Sequence, residues 1–496
     1  MRQYGTLTTA AGFDLRPSRG HGATVRRHAG PSRAAGGSHE AYPLTPARAA
    51  ACALGFILCL GAAQGRTFTL REAVAFALKH SSQTAIARAQ EARARAQLKL
   101  TNSAWQPAIG VSYGYLFSNN PLEALSAELE RRQVTATAFA PSALNYPGVT
   151  RLGTTTLSLA WPIYMGGARH DATRAGRYGR QAAQAAAARN RQTVMAGVIQ
   201  AYEGVIMARE AVAVARRAVA AAAGHARTAA SLYAQGRIVH SDALTADVNL
   251  GADQGLLAQA RGDVRIATDN LVLAMGAGPG VTVVIPHLAF TRGTLPRRPL
   301  SYYVQQALDH RPDVKALQGE IKAAYARARA ARDRSSVQVR LMAQTQWFSE
   351  TPGIRHNAWT VGAVISKSLY DGGRNRDHAA VLLAQAATLA GRLAGLRAHI
   401  RYQVTQAYED MQNALTRYDI ARATVGRARR AVALTRVRYG EGRTILLDLL
   451  NSEQGLVQAR EARLAALYAL AANRAALAAA CGQLSLTRLP ALRPAS

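Results

Sequence analysis

The sequence predicts a mostly α-helical α+β membrane protein: an internal duplicate of long coiled-coil helical hairpins, joined to four transmembrane β-strands. Three observations predict it. No proline lies between Pro162 and Pro279 or between Pro352 and Pro490, and both tracts are rich in Ala, Leu, Arg and Gln, which favour helix. An apolar residue recurs every seventh position in each tract. The second half repeats the first at a constant offset.

The N-terminus is read separately. Residues 1–49 are rich in Gly, Ser, Arg and His, with no hydrophobic period. Arg48 then precedes the run AAACALGFILCLGAA, which is short for a bilayer span and exits through Gly61, Ala62 and Ala63. A basic flank, a short apolar core and a small-residue exit predict a secretory signal peptide, with residues 1–65 as leader. A buried helix fits less well, because Gly55, Gly61 and Gly65 weaken helix. Cys52 and Cys59 fall in the leader without the context of a lipid anchor. Cys481 then stands alone, so no intramolecular disulfide framework forms. Residues 66–496 keep 54 Lys and Arg against 27 Asp and Glu, a net charge of +27. Those arginines are spread through Ala-rich helical patterns, as on a solvated helix face. No zinc-ligand spacing, phosphate loop or aromatic–basic patch accompanies them, so a nucleic-acid partner is not indicated. The histidines are scattered, and no nucleophile–base or paired-carboxylate arrangement appears. The sequence therefore indicates no enzyme, no cofactor and no metal site.

The duplication is specific. PIYMGGARHD aligns with SLYDGGRNRD, pairing Tyr164 with Tyr370, Gly166 with Gly372, Gly167 with Gly373 and Asp171 with Asp377. The tetrapeptide QAYE recurs at Gln200 and Gln406. YAQGRIVHSDAL at Tyr233 aligns with YGEGRTILLDLL at Tyr439, and Gly276 aligns with Gly482; every pair is 206 residues apart. Upstream, ALKHS at Ala77 pairs with ALDHR at Ala307 at an offset of 230, so 24 extra residues lie in the first copy, within 119–149. The division is a leader (1–65), a first repeat (66–276), a linker (277–299), a second repeat (300–482) and a C-terminal tail (483–496).

Each repeat opens with a helix, expected over Leu70–Ser103 and over Pro312 to about Arg334. Strands follow. In AIGVSYGYLF, Ile109, Val111, Tyr113, Tyr115 and Phe117 share a face, with Gly110, Ser112 and Gly114 opposite. TTLSLAWPIY alternates Leu157, Leu159, Trp161 and Ile163 with Thr156, Ser158 and Ala160. VQVRLMAQTQW and WTVGAVISKSLY are the second-copy strands. Period two, with one apolar face and one small or polar face, fits strands between lipid and water. The long helices carry Val198, Val205, Val212 and Val219 interleaved with Ala201, Ala208, Ala215, Ala222 and Ala229. In the second copy Val404, Met411, Tyr418, Val425 and Val432 interleave with Ala407, Ala414, Ala421 and Ala428. A sustained 3.5-residue period predicts left-handed coiled-coil packing. The 66 residues from Gly167 to Tyr233 span roughly 100 Å as helix. The helix Leu70–Ser103 and the helix Ser241–Met275, end to end, match that length. The Tyr233 and Tyr439 turns therefore reverse the chain at one far tip.

Four strands cannot close a barrel, and an open edge cannot sit in lipid. The chain must pool strands with copies of itself, as eight in a dimer or twelve in a trimer. The duplication, the paired strands ending in Y-x-G-G and the Y-x-x-G-x₅-D tip turns together resemble the TolC family of outer-membrane efflux and secretion channels. The resemblance covers residues 67 to about 482. It implies a homotrimer with a 12-stranded outer-membrane barrel, a helical periplasmic tunnel and an equatorial collar near Gly276–Pro299 and the tail. It further implies a periplasmic adaptor and an inner-membrane pump as partners, in a tripartite efflux or type I secretion system. The alternative is a soluble periplasmic coiled-coil scaffold. Asp242 and Asp448 are suited to cap helices. The resemblance adds a gate, with Tyr439, Asp242 and the adjacent Ser241 in polar links that shut the tip. The family's tip arginine sits two residues after the glycine, whereas Arg443 follows Gly442 directly. A second acid three residues on is common in the family; Asn451 stands there, leaving Asp448 alone.

Overall fold

The computed structural model describes residues 66–278, 281, 283–290, 298–351, 353–487 and 493–494. The expected signal peptide, with Cys52 and Cys59, lies outside them, as do parts of the linker and tail. In chain order the elements are β1 (Arg66–Thr67), α1 (Leu70–His80), α2 (Ser82–Ser103), β2 (Ala108–Ser118), α3 (Pro121–Glu130), α4 (Pro141–Asn145), β3 (Thr150–Met165), α5 (Ala168–Ala234) and α6 (His240–Met275). They continue with β4 (Val283–Val284), β5 (Leu288–Ala289), α7 (Leu300–His310), α8 (Pro312–Asp333), β6 (Gln338–Ser349), β7 (His356–Ser366), α9 (Arg374–Gly440), α10 (Leu446–Ala480) and β8 (Arg493–Pro494). The extra residues of the first copy form α3, a 3₁₀ turn at Ala136–Phe139 and α4.

The opening helix differs from expectation. It breaks at Ser81 into 11 and 22 residues, and its second-copy counterpart begins at Leu300 rather than Pro312, again as 11 and 22 residues. Pro312 explains the second break, because it pushes Arg311 into extended geometry (φ −63°, ψ 128°). Ser81 adopts nearly the same angles without a proline (φ −60°, ψ 134°). The end of α6 packs onto that first break: a Cβ on Gly276 would stand 2.7 Å from the Ser81 Cα.

Strands β2, β3, β6 and β7 form one antiparallel sheet in that order. The last strand stops at Ser366, short of the expected Tyr370, and Leu369 and Tyr370 stand exposed. The register pairs Val111 with Leu157, Leu157 with Thr345 and Thr345 with Trp359. Directly paired residues share a face, so Ile109, Val111, Leu157, Leu159, Leu341, Trp359, Val361 and Ile365 lie on one surface. Ile109, Val111, Trp359, Val361 and Ile365 are each 63–75% exposed. Gly110, Ser112, Ser158, Gln344 and Thr360 make the other face. The register slips between Pro162 and Tyr164, where a residue without an N–H is tolerated. At the sheet's base Gly166 and Gly167, and again Gly372 and Gly373, take left-handed backbone (φ +57°, +92°, +69° and +82°). Only glycine adopts two such residues in a row without strain, and they turn strand into long helix.

The two long helices have 67 residues each, roughly 100 Å. Along one half α5 packs on α2 and α8, and along the other on α6 and α10; α9 packs on α8 and α10. The copies interlock, since a Cβ on Gly319 of α8 would stand 3.0 Å from that of Ala182 on α5. In α9 the heptad seam is buried at Val404, Ala407, Met411, Ala414, Ala421, Val425 and Val432, with Tyr418 and Ala428 half-buried. In α5 Ala201, Ala215, Ala222 and Ala229 hold the seam, but Ala208, Val212 and Val219 are half-buried, and Val214 and Ala218 are buried beside them. A straight helix of 3.6 residues per turn drifts from a 3.5 repeat, which moves the contact line.

Overpacking a close helix contact costs about 1–3 kcal/mol. Ala414 is buried in the cluster that also holds Met411 and Leu470. Ala414→Leu is expected to lower the thermal midpoint and oligomer yield, whereas Arg417→Ala on the exposed face of α9 leaves both near wild type. Equal yields would place Ala414 away from a tight seam.

Candidate functional site

Both tip turns use one hydrogen-bond pattern. Gly236 and Gly442 are left-handed, at φ +69° and +70°. The Gly236 N–H donates to Tyr233 O and the Arg237 N–H to Leu232 O; the Gly442 N–H donates to Tyr439 O and the Arg443 N–H to Arg438 O. This double bond closes the last carbonyls of a helix around a glycine, and explains why Tyr-x-x-Gly-Arg recurs. The expected caps are corrected. Val239 and Ile445 are the N-cap residues, and neither has a side-chain cap. Asp242 and Asp448 sit one turn inside, where a carboxylate acts through the helix dipole.

The six expected tip residues separate into two groups. Tyr439 is half-buried in the cluster of Ala226, Ala229, Ala246, Leu446 and Leu450, which joins the first hairpin to the second. Its hydroxyl is buried with no hydrogen-bond partner among the described residues. Burial raises its pKa, and the nearby Asp242 carboxylate adds to the rise. Tyr439 and Asp242 are therefore brought together across the hairpins without a hydrogen bond. Ser241 beside them is exposed, and its carbonyl accepts from Thr245 Oγ1 at 2.8 Å. Arg443, Asp448 and Asn451 are exposed on the second turn. Arg443 pairs with Glu441 at 3.3 Å, within its own turn. Asp448 accepts from Thr444 Oγ1.

Two polar clusters were not anticipated. Near the tip, Arg436 of α9 donates to Glu453 of α10 at 2.6 Å, and His225 Nε2 of α5 lies 3.5 Å from the same carboxylate oxygen. At mid-length Arg311 is buried, with its guanidinium bonded to Asp313 at 2.6 Å, Gln403 Oε1 at 2.8 Å and Ala480 O at 3.3 Å. Arg189 of α5 reaches Ala479 O at 3.1 Å and lies 3.6 Å from Asp313. Burial works against the Asp313 carboxylate, but the Arg311 bonds, backed by Arg189, hold its pKa below the usual range. This knot ties α5, α8, α9 and the end of α10 together. Cys481 is buried beside it and burial pushes its thiol up to about 11, so it packs rather than reacts.

The repeated QAYE adopts two environments. Tyr202 is buried and donates to Phe68 O at 3.0 Å, and the next residue, Glu203, is 0% exposed with both carboxylate oxygens unpartnered. Burial pushes the Glu203 pKa up to about 7, against the pull of Arg474. Its counterpart Glu409 is exposed. Among the described residues no group of three or more His, Cys, Asp or Glu is placed to hold a metal ion.

The chain matches the outer membrane efflux protein family over residues 74–277 and 303–483. No curated protein sequence matches it. Solved structures share the fold. The outer membrane protein VceC of Vibrio cholerae is 20% identical, with a TM-score of 0.70, covering 83% of this chain and 96% of VceC. The Campylobacter jejuni CmeC outer membrane channel is 17% identical, with a TM-score of 0.71 and coverage of 84% and 87%. The open Neisseria gonorrhoeae MtrE outer membrane channel is 18% identical, with a TM-score of 0.66 and coverage of 83% and 88%.

Glu203 sets a pH dependence whose sign follows from its raised pKa. The folded chain holds a proton that an unfolded glutamate, with its pKa near 4.5, releases. Stability from this group is complete below pH 4.5 and is lost as pH rises through about 7. The span amounts to about 3 kcal/mol at 1.36 kcal/mol per unit. Glu203→Gln is expected to flatten the fall in thermal midpoint between pH 5 and pH 8. A parallel fall in the variant would assign it to other groups.

Proposed function

The chain belongs to the outer membrane efflux protein family, and from that membership we propose that three copies assemble one conduit. Each copy gives four strands to a 12-stranded barrel in the outer membrane, and the helices continue as a tunnel across the periplasm. One observation carries this reading: a sheet whose two edges have no strand partner among the described residues, with an apolar face exposed at Ile109, Val111, Trp359, Val361 and Ile365, which lipid accepts only when the edges are closed. The other face supports three copies rather than two. An eight-stranded barrel is filled by its own side chains, whereas Gly110, Ser112, Ser158 and Gln344 are small or polar and suit a water-filled lumen. A stretch of α9 with mean hydropathy 1.5 is only 11% buried in the single chain, and neighbouring copies supply its cover. A soluble scaffold is disfavoured by the same apolar surfaces.

In this reading the protein performs no chemistry. Substrate passes passively from an inner-membrane pump, through a periplasmic adaptor, to the exterior, and the pump selects the cargo. Residues 1–65 act as leader and signal peptide, 66–276 and 300–482 as the two repeats, and 277–299 with 483–496 as an equatorial collar. Tyr439, Asp242 and Ser241 hold the tip at the joint between hairpins, while Asp448 and Asn451 face the opening. Arg443 is engaged by Glu441, so a gate link from Arg443 requires that pair to break.

The processed chain is expected to begin near Gln64 or Arg66 and to run from outer-membrane fractions as a trimer that heating dissociates. An unprocessed cytosolic monomer would overturn the proposal.

The tip makes a second expectation. The charge of +27 over residues 66–496 favours anions at long range, yet selectivity is set at the narrowest, least screened point. Three copies of Asp448 there favour cations locally, and Asn451 removes a second acidic ring. In planar bilayers, multivalent-cation block is expected to weaken in Asp448→Asn and strengthen in Asn451→Asp. Unchanged block in both would limit these residues to local helix stabilisation.

A further inference from the structure

The first copy carries a segment that the second lacks, at the end of the sheet away from the long helices. Between β2 and β3 it holds α3, a 3₁₀ turn and α4, whereas β6 and β7 are joined by residues 350–355 alone. Where α3 ends, Arg132 adopts φ +55°, and it is the one non-glycine residue with positive φ among the described residues. The Arg132 N–H donates to Leu129 O and the Gln133 N–H to Glu128 O, the bonding that a glycine normally completes at this position. A side chain there is strained, and such strain persists only where the surroundings hold it.

The Arg132 side chain shows what holds it. Its guanidinium donates to Asn357 O on β7 at 3.1 Å, 225 residues away in sequence. Beside it Arg131 is buried; its Nε donates to Ala127 O at 3.2 Å, and its Nη1 lies 3.7 Å from the Glu350 carboxylate in the β6–β7 connection. Tyr115 of β2 donates to Glu350 O at 2.7 Å. The segment leaves the sheet between β2 and β3 yet is tied to β7, so it passes across β6. Burial marks the side on which it passes. Phe348, near the end of β6 and on the face of Gln344, is 5% exposed, and α3 packs on the paired strand β3. Farther along that inner face Gly110, Ser158 and Thr360 are exposed.

We propose that residues 119–149 form a lid across the outer mouth of the conduit, latched to β7 by Arg132 and to the β6–β7 connection by Arg131. The lid rests on the conduit reading and adds a second constriction, at the end opposite the tip. One lid from each copy narrows the mouth. Both ties end on exposed partners, Asn357 and Glu350, and the strain at Arg132 opposes the latch. The closed lid is therefore poised to open.

The test uses the full-length protein in intact cells. Ser158→Cys places a thiol on the exposed inner face, and the native Cys481 is buried. A bulky, membrane-impermeant polyethylene-glycol maleimide is added outside, and the labelling rate is read as a mobility shift. In the Ser158→Cys background, Arg132→Gly is expected to speed labelling about fivefold, the scale of one lost hydrogen bond. That change removes the latch while supplying the residue that suits left-handed backbone. Glu350→Gln is expected to act in the same direction, and replacing residues 119–149 with the 350–355 connection sets the upper limit. Arg355→Gln removes an exposed charge from the same connection without touching the latch, and should label as the background does. Should Arg132→Gly fold poorly, Glu350→Gln decides, because that side chain is exposed. Equal rates in the background, both latch variants and the replacement would overturn the lid and leave the conduit reading in place. Tyr146→Cys, 87% exposed on the segment itself, is expected to label rapidly in an otherwise unaltered chain. No labelling there, or at Ser158→Cys in any variant, would overturn the conduit reading and the lid with it.

Discussion

Two sheet edges govern this protein. The order β2-β3-β6-β7 leaves one side of β2 and one side of β7 without a strand partner among the described residues. Each unpaired N–H or C=O in hydrocarbon costs several kcal/mol, so a row of them along either edge cannot be tolerated there. The apolar face carrying Val111, Leu157, Trp359 and Val361 is equally unsuited to water. Lipid around a sheet closed by further strands, as proposed above, satisfies both features. Family membership and this constraint point the same way, although they come from different properties of the chain.

The proposed closure also makes demands on the helices. β3 passes directly into α5 through a pair of left-handed glycines, and β7 reaches α9 through residues 367–371 and a second such pair, so each long helix starts close to the sheet. Helix axes must then run close together for roughly 100 Å, which small seam residues permit. Alanines at 201, 215, 222 and 229 in α5, and at 407, 414 and 421 in α9, are buried. Length matching follows the same logic: a helix pair broken at Ser81, or at Arg311, shares its long partner with a tip-side helix. The polar knot of Arg311, Asp313, Arg189 and Gln403 sits where those helices meet, and fixes the junction by direction as well as by burial.

Duplication does not make the two halves equivalent. QAYE buries a protonatable carboxylate at Glu203 and exposes one at Glu409. The tip turns share their glycine geometry, yet Tyr439 sits in the joint between hairpins while its counterpart Tyr233 stacks on His240 with ring centroids 4.8 Å apart. A copy of a motif inherits its backbone, which is local, but not its neighbours, which depend on which helix passes beside it.

The sequence by itself determined the elements that short-range physics controls. Proline-free Ala-rich tracts became 67-residue helices, period-two segments became the four strands, and the 206-residue offset located both tip turns. The family resemblance paired Tyr439 with Asp242 in a polar link, and the structure brings the two near each other without a hydrogen bond. The break at Ser81 was not legible, because it carries no proline and its angles answer to packing against Gly276. The N-caps were misread for a related reason: an aspartate near a turn signals the first helical turn, while its offset from the cap depends on where the chain leaves the glycine. Only the tertiary structure decided which strands are edges and that Glu203 loses water while Glu409 keeps it. Those outcomes rest on contacts between residues up to hundreds of positions apart, and no local period encodes them.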